Sequence, residues 1–450
     1  MDAVQRTIGD SVQRTIGDAV QRTVLPSGLR IVTEHMPGTR SAAVGLWIGT
    51  GSRDEHPSHA GAAHFLEHLL FKATPTRSAQ DFAETMDSVG GELNAFTARE
   101  HTCFYAHVLD SDLELAIDLV TDVVLRGRCL AADVEVERGV VLDELAMRDD
   151  DADDMLGDAF LEAILPGHRL GRPIIGTVAS IESMTRRQLK SFHQARYRPE
   201  HMVLAVAGNV DHRDVVELLR QHAAEAVEGE GRPSPRRAGE LVLRQQPRLA
   251  VHERETEQIH VALGMRSFGR HDPRRWALSV LDNVCGGGMS SRLFQEVREN
   301  RGLAYSVYSS AHTFADAGAL GIYAGCHEDN LTEVIEVIEH VLVDLAVNGI
   351  SAAECQRAKG NLRGQLVLGL EDVQARMNRI GRSEISYGDQ MPVADTIARI
   401  DAVTLDEVNE VARELFQRPI GAALVGPYEN GNAAPVRLRQ LCGPSRSVGG

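Results

Sequence analysis

Basic residues are scarce relative to acidic ones in this 450-residue chain: 47 Lys and Arg stand against 64 Asp and Glu, a formal net charge of -17. Phosphate binding needs a concentrated positive field, so the deficit argues against nucleic acid as the main partner and favours cationic peptides. Long apolar runs are also missing. Stretches such as residues 202–207 and 421–425 fall far short of the roughly 20 residues that a membrane-spanning helix requires, and no span is predicted. No basic segment followed by an apolar core opens the chain, so neither a secretory signal nor a lipid anchor is expected and the cytoplasm is the default compartment. The six cysteines, Cys103, Cys129, Cys285, Cys326, Cys355 and Cys442, show no C-x-x-C spacing, which predicts reduced, mostly buried thiols.

What is present has the balance of an ordinary soluble globular protein, with 43% hydrophobic and 25% charged residues. The length is two or three times the commonest domain size, so two domains or two similar halves are expected. Val-Gln-Arg-Thr begins at Val4, Val12 and Val20, a period that fits neither helix nor heptad. Residues 1–23 are accordingly expected to be a flexible leader ahead of a domain starting near Val24. Between residues 228 and 240, Gly229, Gly231, Pro233, Pro235 and Gly239 alternate with charges, as an exposed linker would. This divides the chain into residues 24–227 and 241–430, with a tail at 431–450.

The two halves echo each other. Tyr105-Ala106 recurs as Tyr323-Ala324, Ala131-Ala132-Asp133 as Ala352-Ala353-Glu354, and the segment from Thr185 as that from Thr404, at offsets of 218 to 221 residues. Four weak matches in the same order, counting the β-rich run that follows Thr185 and Thr404, imply a duplicated domain. Strand-like stretches at 29–33, 43–48, 102–108 and 202–207 alternate irregularly with amphipathic helices, one of them over residues 79–89 with Ser78 as its cap. The expected fold class is α+β, with a largely antiparallel sheet packed with helices in each half.

The chemistry concentrates in Ala62-Ala63-His64-Phe65-Leu66-Glu67-His68-Leu69-Leu70. On a helix, His64 and His68 lie one turn apart on a shared face and can converge on one metal. Glu67 lies beside His64, placed to address a metal-bound water. This is the inverted zincin arrangement His-x-x-Glu-His. The pattern is short enough to arise by accident, but the apolar flanks predict a largely buried helix, where unpartnered His and Glu would be costly. Catalytic zinc usually has a third protein ligand. In Glu137-Arg138-Gly139-Val140-Val141-Leu142-Asp143-Glu144, two glutamates seven residues apart share a helical face, so one can bind the metal while the other braces a ligand from behind.

With these motifs the chain resembles the pitrilysin and insulinase superfamily, in the branch of mitochondrial processing peptidase and its bacterial relatives. His64, Glu67 and His68 match the family's inverted motif. Glu144, 76 positions after His68, matches its distal metal ligand, and Glu137 the first glutamate of the same pattern, which supports a ligand. The likeness runs from Val24 to about Tyr428. It implies two similar α+β domains, a peptidase activity and one zinc ion per chain. At the 221-residue offset the two glutamates become Ala358 and Gln365, and no second His-x-x-Glu-His occurs, so only the first half is expected to bind metal.

The resemblance also assigns substrate contacts. Residues 90–97 couple a glycine turn to a possible edge strand, and the positions of Asn94 and Ala95 bind extended peptide in the family, as an open edge can. Arg298 and Tyr305 match an arginine and tyrosine pair that contacts substrate and supports the tetrahedral intermediate, a role suited to two strong donors. Without the resemblance, Arg298 reads as a surface ion pair and Tyr305 as a sheet residue. Relatives with four such domains close the zinc domain against the last one. This two-domain chain is therefore expected to be a homodimer whose active sites are shared. The residues around Gly286-Gly287-Gly288 lack the ending of a nucleotide loop and read as a hinge or gating loop. His56, His59, His101 and His107 are expected not to be ligands, and the aspartate-rich run at 149–154 to be solvated and helix-terminating. Two rivals to a peptidase acting on unfolded, basic peptides are a noncatalytic scaffold that has lost the metal, which the intact motif disfavours, and a small-molecule zinc hydrolase.

Overall fold

A computed structural model describes residues 20–239, 243, 245–428 and 434–442. The chain forms two compact units that are not contiguous in sequence: Met1–Leu142 with Ile174–Arg236 and Leu368–Pro392, and Asp143–Pro173 with Arg237–Val367 and Val393–Gly450. The two contiguous halves expected on either side of residues 228–240 are therefore replaced by interleaved ones.

In the first unit, strands β1 (Val20–Val24), β2 (Arg30–His35), β3 (Ser41–Ile48), β4 (Glu92–Thr97), β5 (Thr102–Leu109) and β6 (Met202–Gly208) form one sheet in the order β1-β2-β6-β3-β5-β4. Only the β2/β6 pair is parallel. In the second unit, β7 (Leu249–Glu253), β8 (Ile259–Ser267), β9 (Ala304–Thr313), β10 (Gly318–Cys326) and β11 (Ile420–Gly426) follow the order β7-β11-β8-β10-β9, with β7/β11 parallel. Apart from β1, the second order repeats the first strand for strand, so the fold is α+β with an internal duplication. Tyr105 and Tyr323 fall on the equivalent strands β5 and β10. Thr185 and Thr404 each close a capping box at the start of equivalent helices.

Two boundaries move. Val20 to Thr23 do not belong to a leader: they lie in β1, paired to β2, while residues 1–19 lie outside the described residues. The tail packs in part, because the helix Val436–Leu441 buries Leu438 in the core of the second unit. Between α4 (Ala131–Asp150) and α5 (Ala152–Ile164) the aspartate run ends one helix and starts the next, Asp151 accepting from the backbone N–H groups of Asp153 and Asp154.

The interleaving has a simple origin. Helix α5, from the first half of the sequence, packs on β8, β11 and β7 through Leu156, Phe160 and Ile164. The helix Val373–Tyr387, from the second half, packs on β2, β3 and β6 through Val373, Met377 and Ile380. The two helices begin 221 residues apart, so the duplicated units have exchanged equivalent helices. On the first sheet the helix approaches its seat most closely where Gly45 leaves room. A Cβ at Gly45 would lie 2.4 Å from Met377 Sδ, and Trp47 donates its indole N–H to that sulfur at 3.4 Å. Buried ion pairs complete the seat: Glu384, fully buried, accepts from Arg22 at 3.0 and 3.1 Å and faces Arg30 at 3.6 Å, while Glu34 binds Arg376 at 2.6 Å and Arg379 at 3.1 Å.

Candidate metal centre and peptide-binding edge

The remaining helices needed here are α1 (Ala62–Leu70), α2 (Ala79–Val89) and α3 (Leu113–Arg126). Helix α1 is short, and an isolated helix of this length would be marginal in water. Tertiary contacts hold it. Phe65, Leu66, Leu69 and Leu70 are completely buried, contributing about 1.5–3 kcal/mol each before entropy is counted. Its first turn is capped by the buried carboxylate of Glu55, which accepts from Gly61 N at 2.9 Å and Ala63 N at 2.8 Å. Gly61 has φ +92, and a Cβ there would lie 2.5 Å from the Ile175 carbonyl oxygen, so the entry to the helix demands glycine.

The opposite face of α1 carries the polar residues. The rings of His64 and His68 lie 4.8 Å apart, and together with Glu144 they offer three ligand atoms all within 4.8 Å of one another. The boundary between the units falls inside α4, after Leu142, but that helix is unbroken from Ala131 to Asp150. Burial first, and then neighbouring His68, lower the His64 pKa to about 4. At neutral pH its imidazole is uncharged and keeps a lone pair for a metal. Two imidazoles and a carboxylate are a donor set suited to catalytic zinc. Among the described residues this is the single such group, and His56, His59, His101 and His107 are not part of it.

Glu137, seven positions before Glu144 on α4, accepts a bond from His68 Nδ1 at 3.2 Å. A carboxylate can only accept, so Nδ1 carries the proton and Nε2 is left as the ligand atom. On its other oxygen Glu137 pairs with Lys72 at 2.5 Å. Lys72 was not expected from the sequence, although it follows His68 by one helical turn. Thr97, at the end of β4, donates its hydroxyl to Glu67 Oε2 at 2.5 Å. This contact was also not legible, since Thr97 lies 30 positions from Glu67.

Asn94 and Ala95 lie on β4, which among the described residues pairs only with β5 and so forms the edge of the sheet. The Ala95 N–H is held at 2.8 Å by the Asn94 side-chain oxygen rather than by a neighbouring strand. A cavity of about 580 Å³ lies beside this edge, lined among others by Glu67, Lys72, Phe82, Met86 and Asn94. In the second unit Arg298 and Tyr305 are brought together, the guanidinium lying 4.9 Å from the centre of the phenol ring and 4.8 Å from that of Phe294. Tyr305 is 76% exposed, so it is not a packed sheet residue.

Two similar α+β units, with His64, Glu67 and His68 on helix α1 and Glu144 brought to the two histidines by the continuous helix α4, define an inverted-zincin metallopeptidase fold. The comparisons agree. Residues 30–178 match Insulinase (Peptidase family M16), and residues 183–362 match Peptidase M16 inactive domain. The chain is 57% identical over 93% of its length to an uncharacterized zinc protease of Mycobacterium tuberculosis, covering 96% of that protein. It is 38% identical over 90% to the uncharacterized zinc protease YmxG of Bacillus subtilis, covering 97% of it. A protease from Helicobacter pylori shares the fold with a TM-score of 0.80 at 23% identity, covering 91% of this chain and 99% of that one. The chain belongs to the M16, or pitrilysin and insulinase, family of peptidases. Among the described residues no helix is long and apolar enough to cross a membrane.

Proposed function

We propose that this protein is a zinc-dependent endopeptidase that hydrolyses unfolded, preferentially basic peptides, with one zinc ion per chain held by His64, His68 and Glu144. The observation that carries the reading is the convergence of these three donors beside Glu67, whose carboxylate is anchored by Thr97. The names of the relatives as zinc proteases support it. When bound, zinc lowers the pKa of a coordinated water to about 7 and polarises a carbonyl oxygen. Glu67 takes the proton from the attacking water and delivers it to the leaving amine. Glu137 keeps His68 in the ligating tautomer. The peptide backbone adds to the open side of β4 at Asn94 and Ala95. Arg298 and Tyr305 supply donors to the developing oxyanion. The noncatalytic scaffold is the weaker reading, because a scaffold has no need of an intact Glu67.

The test is Glu67→Gln. Zinc content should stay near one per chain while cleavage of a peptide library collapses; a purified variant that still cleaves would refute the role of Glu67. In the same panel Lys-rich peptides should be cut faster than matched Glu-rich ones at low salt, with the advantage fading as salt rises. The reading includes a cytoplasmic homodimer with Arg298 and Tyr305 acting on the zinc site of the other subunit. Mixed dimers of Glu67→Gln and Arg298→Ala should then regain part of the activity, whereas sites built within one chain would regain none.

A further inference from the structure

A glutamate that accepts a proton must present one oxygen in a fixed direction, yet a free carboxylate rotates about its broad terminal torsion. Here one oxygen is spoken for: Thr97 Oγ1 donates to Glu67 Oε2 at 2.5 Å. Thr97 is itself restrained. It is β-branched and stiff at χ1, it pairs with Thr102 on β5, and its neighbour Phe96 packs edge-on against the fully buried Trp47 with ring centres 5.5 Å apart. Because side chains alternate across a strand, Phe96 ties the end of β4 to the core while Thr97 turns to the other face.

Thr97 also ends the strand that has an open side. Two residues earlier, the Ala95 N–H is occupied by the oxygen of the preceding Asn94 side chain at 2.8 Å, a bond that an incoming peptide carbonyl can replace. The strand that receives the peptide and the hydroxyl that holds the carboxylate are therefore one rigid segment of four residues, Asn94, Ala95, Phe96 and Thr97.

We infer that Thr97 is a positioning residue: its hydroxyl holds Oε2 of Glu67 and ties the direction of that carboxylate to the strand on which substrate lies. This rests on the reading of Glu67 as the proton acceptor. Losing the hydroxyl should affect turnover rather than binding of peptide or metal.

The test compares Thr97→Val, which keeps the branched shape and removes the hydroxyl, with Thr97→Ser, which keeps the hydroxyl. Thr97→Val should lower kcat about 10- to 100-fold, the scale of a misplaced catalytic group, and change KM by less than about threefold. Thr97→Ser should recover most of the loss. Zinc content and melting temperature should match the parent. In a Glu67→Gln background, adding Thr97→Val should leave the affinity for a fluorescent peptide unchanged. An unaltered kcat in Thr97→Val, a Thr97→Ser variant no better than Thr97→Val, or a loss confined to KM would overturn the inference. If Glu67→Gln is inactive while Thr97→Val is fully active, this inference alone falls; if Glu67→Gln is active, both readings fall.

Discussion

Replacing Glu137 separates metal affinity from catalysis. Its carboxylate makes two contacts, to His68 Nδ1 at 3.2 Å and to Lys72 at 2.5 Å, and its own side chain is only 4% exposed. The Lys72 side chain is 33% exposed, so solvent screens that pair to within about 1 kcal/mol. The bond to His68 has a buried charged acceptor and is the larger contribution, about 1.5–3 kcal/mol. Glu137→Gln keeps an oxygen that can still accept from His68 but loses the charge, and should weaken zinc binding about tenfold. Glu137→Ala removes the acceptor altogether and frees the imidazole to turn, and should weaken it about a hundredfold, the upper range for residues that orient a metal ligand. The assay is competition for zinc between the metal-free protein and a chromophoric chelator, which needs no peptide and no activity. Lys72→Met should move the same titration by less than Glu137→Ala. Equal zinc affinity in parent, Gln and Ala forms would refute the idea that Glu137 orients His68.

Glu384→Gln should loosen the exchanged helix Val373–Tyr387, because it leaves the buried Arg30 without its anion at a cost of about 3–5 kcal/mol; hydrogen exchange should rise in that helix and in β1 and β2, and unchanged protection would count against the role of the ion pairs. Acidification should destabilise the metal-free protein. Burial lowers the pKa of His212 and of His193, so below about 6.5, the ordinary histidine value, the unfolded chain takes up more protons at these positions than the folded one. Stability is therefore whole above that value and is lost as pH falls below it. His212 bridges the hydroxyls of Thr23 and Thr33 at 2.8 and 2.9 Å, and His212→Gln should flatten the pH dependence of melting; a melting temperature that rises on acidification would contradict the sign.

Local pattern alone determined much of this protein. His64 and His68 share a helical face because the α-helix repeats every 3.6 residues, and the same periodicity aligns Glu137 with Glu144, so both halves of the metal group were legible in two short motifs. Ser78 announced a helix start through its side chain, and the 218 to 221 residue offsets announced two like halves. Tertiary structure decided what depends on distant partners. An amphipathic helix carries the same signal whichever of two similar sheets it covers, so nothing near α5 or near Val373–Tyr387 revealed that they trade places; the choice is made by Glu384 and Glu34 meeting arginines more than 340 positions away. The third Val-Gln-Arg-Thr became strand β1 for the same reason, since Arg22 reaches Glu384. Glu55 caps α1 across a turn, Lys72 backs Glu137, and Thr97 holds Glu67. Each is a hydrogen bond or ion pair whose strength depends on a few tenths of an ångström, and residue order alone does not specify distances that fine.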